Sequence, residues 1–128
     1  MLRIVFPVAA LALCGCGGDP KPLAMAATPE SARAALVDAL DGWKAGKTAQ
    51  ELAALSPPVT LIDDDFHGSR KLLDYKIESD GQARGTGYSY IVTLTLQSKD
   101  GGKNTTRKIP YNAVSEPKRV VSREDRKV

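Results

Sequence analysis

The chain has 128 residues, 18 Lys and Arg against 15 Asp and Glu, a formal net charge of +3, two cysteines and one histidine. That length supports one domain with its own core. Acidic and basic residues are interleaved, which describes a solvated surface rather than a nucleic-acid footprint, and a lone histidine argues against a zinc site of standard ligand spacing.

The first residues set an address. Met1 to Arg3 form a short positive segment and Ile4 to Leu13 an apolar run of ten residues. Spanning a bilayer takes about 20 apolar residues, so the run reads as the core of an export signal and not as a permanent span. Leu13-Cys14-Gly15-Cys16 follows. It resembles the lipobox of bacterial lipoproteins, which implies cleavage after residues 1–15 and a diacylglycerol on Cys16. Cys14 is the rival acceptor, with the bulky Leu13 before it where a small side chain is wanted. Ala24-Met25-Ala26 is a rival cleavage site that would release a soluble protein. Loss of Arg3 with the signal takes the charge from +3 to +2. With Cys14 removed and Cys16 lipidated, the folded part has no thiol and no disulfide to lean on.

Residues 16–27, containing Pro20, Pro22, Gly17 and Gly18, read as a lipidated tether. Extended, such a stretch reaches on the order of 30 Å. Residues 28–124 read as the domain and residues 125–128 as a flexible tail.

Thr28-Pro29-Glu30 is a helix start, with Thr28 as N-cap and Pro29 at the first helical position. Ala32, Ala35, Leu36, Ala39, Leu40 and Trp43 then recur at the three-and-four spacing of one buried face, and Gly46 suits the end of that helix. Thr48-Ala49-Gln50-Glu51 is a capping box for a short second helix, stopped by Pro57-Pro58.

From Val59 the period becomes two. Strands are expected at residues 59–62, 72–79, 88–98 and 105–114, with a short one at 118–122. In residues 88–98, Tyr88, Tyr90, Val92, Leu94 and Leu96 make one face apolar. Asp100-Gly101-Gly102 should turn that strand into the next, where Pro110 implies an edge or a bulge. The expectation is an α+β domain: one long and one short helix on an antiparallel meander of about four strands.

Asp41-Gly42-Trp43-Lys44-Ala45-Gly46-Lys47, Ser56-Pro57-Pro58 and Asp65-Phe66-His67-Gly68-Ser69-Arg70-Lys71-Leu72 together resemble a group of small bacterial lipoproteins. That resemblance implies no activity. The order of elements is also loosely similar to the cystatin-like and nuclear-transport-factor-2-like cones, an analogy of topology that transfers no function.

Asp63-Asp64-Asp65 with His67 is the one cluster that points to acid-base or metal chemistry. Its plain alternative is a solvated turn whose aspartates cap local backbone. Tyr75, Tyr88, Tyr90 and Tyr111 are candidates for a pocket lining, or else for cross-strand packing. Arg70-Lys71 offers an anion site or local ion pairing, and Trp43 a partner contact or core packing. No catalytic residue, metal site or cofactor is assigned. The functions weighed are a membrane-anchored envelope lipoprotein that binds or scaffolds an envelope protein through a sheet edge at residues 105–114, a small cone-fold enzyme based on Asp63 or Asp65 with His67, and a small-ligand-binding protein with a pocket near Asp65 and His67.

Overall fold

The computed structural model describes residues 28–128. The expected signal, the lipidation of Cys16, the tether and the rival site at Ala24-Met25-Ala26 lie outside the described residues.

α1 (Pro29–Lys44) begins with Thr28 Oγ1 accepting a hydrogen bond from the Ser31 backbone N–H, while the Ser31 hydroxyl oxygen accepts one from the Thr28 backbone N–H. Ala45 and Gly46 close it: the Gly46 N–H reaches the Trp43 carbonyl at 3.0 Å and the Lys47 N–H the Gly42 carbonyl at 2.8 Å. Gly46, at φ 87°, holds the left-handed position that such an ending requires. Every residue of the expected stripe is buried. α2 (Ala49–Ala53) uses the capping box of Thr48 and Glu51 and inserts Leu52 against α1. A methyl on Gly42 would stand 2.3 Å from Leu52 Cδ2, so glycine is what lets the two helices approach.

Six strands form one curled sheet, a half-barrel: β1 (Val59–Ile62), β2 (Leu72–Ile77), β3 (Gln82–Arg84), β4 (Gly87–Leu96), β5 (Thr105–Val114) and β6 (Arg119–Arg123). The order is β1-β6-β5-β4-β2, with β3 paired to β4 beside β2. Together with a third helix, α3 (Asp64–His67), this is the expected α+β class. Two details correct the meander. β1 pairs parallel to β6, Val59 opposite Arg119 and Ile62 opposite Ser122. β3, three exposed residues, pairs through Gln82 and Ser89 in a tight hairpin turned at Gly85, whose φ is 62°. It has no apolar alternation to announce it.

α1 lies across the concave face. Tyr90, Val92, Leu94 and Leu96 of β4 meet its Ala and Leu stripe, with Ile109, Tyr111 and Ala113 of β5 and Val121 of β6 completing the core. Polar clamps hold the helix along its length: Tyr90 OH donates to the Pro29 carbonyl at 2.7 Å, Arg119 pairs with Asp38 at 2.7 Å, and Tyr75 OH donates to Asp41 at 2.7 Å. Buried hydroxyls without such partners would each cost about 1–3 kcal/mol.

β5 is an inner strand only over Tyr111–Val114; from Thr105 to Pro110 it has β4 alone, so Pro110 stands where the edge begins, and the register with β4 runs through it without a bulge. The proline is tolerated because β6 pairs only with Tyr111–Val114. The Pro110 carbonyl accepts from the Glu124 N–H at 2.8 Å, so residue 110 turns its backbone to the side where β6 has just ended. Its missing N–H breaks no ladder bond there.

Candidate functional site

The aspartates of the sequence cluster enter a charged plug at one end of the concave face. Asp63 is the N-cap of α3, its Oδ1 accepting from the N–H of Asp65 at 2.8 Å and of Phe66 at 3.2 Å. Its side chain is fully buried, Tyr111 OH donates to Oδ2, and Arg123 stands 3.6 Å from Oδ1. Asp65, the second residue of α3, receives Arg123 at 2.8 Å and Arg70 at 3.5 Å, with Arg107 at 4.0 Å. The Arg70 guanidinium is further fixed by the Gln97 carbonyl at 2.9 Å and Thr105 Oγ1 at 3.2 Å. Asp63 thus corrects the expectation of a solvated turn: it does cap local backbone, but from inside the core, because β5 and β6 bring Tyr111 and Arg123 over it.

These surroundings decide the chemistry. Burial by itself would raise the Asp65 carboxyl, but the Arg123 hydrogen bond and charge, with Arg70, outweigh it and hold the group below the usual carboxylate range. A general base working near neutrality needs the opposite shift. Burial, reinforced by Asp63, pushes the Tyr111 hydroxyl upward, so it stays a donor. Arg123 is held protonated: the aspartates overcome the effect of its burial. Among the described residues, no group of three or more His, Cys, Asp or Glu is placed to hold a metal ion.

The other site candidates do not join this cluster. His67 is exposed at the far side of α3, its ring 5.3 Å from that of Phe66, in a separate hollow beside Trp43. Tyr90 is buried beneath the start of α1 with its hydroxyl committed to Pro29, and Tyr88 is half-buried against the core. The structure therefore brings Asp63 and Asp65 together and separates them from His67, Tyr88 and Tyr90. Trp43 is core, its Nε1–H donating to the Arg70 carbonyl at 2.7 Å. Arg123 escaped the sequence reading, which ended the last strand at Ser122. The available signal was alternation, since residues 119, 121 and 123 share a face and Tyr111 pairs with Arg123 in register.

Beside the plug the sheet has a notch. β1 ends at Ile62 and β6 at Arg123, while β5 continues to Thr105 with only β4 as neighbour. Residue 110 faces the β6 side, and strand alternation puts the backbone N–H and carbonyl of Thr106 and Lys108 on that same side, without a partner strand. Hollows of about 470 and 440 Å³ adjoin this stretch, lined by Arg107, Lys108 and Glu124 in one and by Ile62 and Asp64 in the other. Ile62 is 51% exposed at its margin. Beyond Arg123 the chain crosses the outer face of β4, where Glu124 accepts from Ser89 Oγ at 2.6 Å and pairs with Arg84 at 2.9 Å, and Arg126 donates to Ser89 at 2.8 Å.

Fold and site together define an α+β domain with a helix-filled half-barrel and an interrupted sheet edge. Comparison with known protein families, with curated proteins and with solved structures finds no match to this chain. Among the described residues no helix is long and apolar enough to cross a membrane.

Proposed function

We propose that this chain is a bacterial envelope lipoprotein, anchored by lipid on Cys16, whose domain binds an extended segment of another envelope protein along the open part of β5. The carrying observation is the notch: Thr105–Ile109 has a strand on one side and an unpaired backbone on the other. Adding a strand to such an edge supplies main-chain hydrogen bonds without any catalytic residue. The Leu13-to-Cys16 pattern supports the anchor, and the arginine-held state of Asp65 weakens the acid-base alternative.

The test is in-cell crosslinking with mass spectrometry on three forms: the native chain, Cys16→Ala and Lys108→Pro. Proline at 108 removes an N–H on the open side and spares the bonds to β4, as Pro110 already does two residues on. A partner captured by the native chain and lost from both variants is the expected result. Equal capture by Lys108→Pro, with the fold intact by circular dichroism, overturns binding along β5, and equal capture by Cys16→Ala overturns dependence on the anchor.

A further inference from the structure

The end of α1 remote from Thr28 carries a second feature, independent of the β5 notch. Between the turn that follows α1 and the turn that follows α3 lies a hollow of about 490 Å³. Trp43 and Phe66 form its floor, packed edge to face with ring centroids 5.7 Å apart and side chains almost wholly buried. Lys47, His67 and Lys71 stand exposed around its rim. Past Lys71 a second hollow of about 330 Å³ continues to Lys99. Every titratable side chain lining these two hollows is basic. At the β5 notch, by contrast, acidic and basic lining residues balance.

The cations are not accounted for by the fold. Lys44 already serves the last turn of α1 and pairs with Asp74 at 3.3 Å, and Arg70 is held by Gln97, Thr105 and Asp65. Lys47 and Lys71 take part in none of the ion pairs among the described residues. Like charges gathered at one concave spot repel, and an incoming anion relieves that repulsion. The edges of Trp43 and Phe66 that reach the hollow, 3% and 8% exposed, add a small apolar contact of the kind that ligand sites combine with a few polar groups.

We propose that this end of the domain binds a small anion carrying a flat apolar group, an arylalkyl phosphate or arylalkyl carboxylate, with the anion between Lys47 and Lys71 and the ring in the hollow against the edges of Phe66 and Trp43. A bilayer surface fits less well. The aromatics are recessed rather than projecting.

Trp43 is the single tryptophan of the chain, so its emission reports on the floor of the hollow. Purified full-length protein is titrated with 2-phenylethyl phosphate, with inorganic phosphate and with phosphatidylglycerol vesicles, exciting tryptophan alone. The expected result is a saturable change with phenylethyl phosphate, at least about tenfold weaker binding of inorganic phosphate, and a loss of about tenfold or more in affinity for Lys47→Ala/Lys71→Ala. Both lysines are exposed, so that variant keeps the native thermal transition. No saturable change up to about 10 mM, or unchanged affinity in the double variant, overturns the proposal. A response to vesicles with none to phenylethyl phosphate also overturns it, in favour of a membrane-facing surface.

Discussion

At the scale of single residues, Asp63 carries more of the structure than its neighbours in the aspartate run. It satisfies two backbone N–H groups of α3, accepts the Tyr111 hydroxyl and faces Arg123. Truncation strands all of these at once. Breaking a buried, hydrogen-bonded ion pair typically costs 3–5 kcal/mol. Asp63→Ala should therefore lower the free energy of unfolding in urea by about 3 kcal/mol, whereas Asp64→Ala, at an exposed position of the same run, should change it by less than about 0.5 kcal/mol. Equal losses at the two positions would show that the cap and the Tyr111 bond contribute little. Three adjacent aspartates look alike in sequence, and only their alternation relative to β5 and β6 separates the buried cap from the surface residue.

Among the elements, α3 is the least regular and the most revealing. It is one turn long, and it ends with the Ser69 N–H on the Phe66 carbonyl at 3.1 Å and the Arg70 N–H on the Asp65 carbonyl at 2.9 Å. That is the same ending as α1, but the left-handed position falls on Ser69, φ 64°, rather than on a glycine. Gly68 stands one residue too early to relieve it, and a side chain there would press on the Asp64 carbonyl at 3.0 Å. A non-glycine residue in this conformation is held at a cost of about 1 kcal/mol. Ser69→Gly should accordingly raise the stability by up to about 1 kcal/mol, read as a higher denaturant midpoint at unchanged slope. A drop in midpoint would mean that the serine side chain makes a contact worth more than the strain.

For the molecule as a whole, the charged plug and two tyrosines, Tyr111 in the core and the half-buried Tyr75, shape the response to pH. Asp65 is depressed when folded because Arg123 and Arg70 outweigh its burial, so its contribution is present above the ordinary carboxylate range and is lost as pH falls below about 4. Tyr111, raised by burial and by Asp63, and Tyr75, raised by burial and by its bond to Asp41, act at the other end. Their contribution is complete below the ordinary tyrosine range and is lost as pH rises above about 10, where the unfolded side chains ionise first. Chemical denaturation across pH should show a plateau between these limbs. Asp65→Asn should flatten the acid limb and Tyr111→Phe the alkaline one. An unaltered acid limb in Asp65→Asn would assign acid sensitivity to other carboxylates.

The sequence by itself determined the local structure and the class of fold. The capping residues Thr28 and Thr48, the stripe ending at Trp43, and the alternation through residues 88–98 are written in nearest-neighbour chemistry, and each produced the expected element. Tertiary structure alone decided the parallel pairing of β1 with β6, since no periodicity within residues 59–62 names a partner some sixty positions away. The same distance in sequence hid the candidate site. Asp63, Asp65, Arg70, Arg107, Tyr111 and Arg123 come from five separate elements and turns, and only the curl of the sheet gathers them. His67, adjacent to the aspartates in sequence, is turned away by the single turn of α3. The notch beside β5 has the same origin, because strand lengths can be read from a pattern of side chains, but which backbone groups are left without a neighbour depends on where every other strand stops.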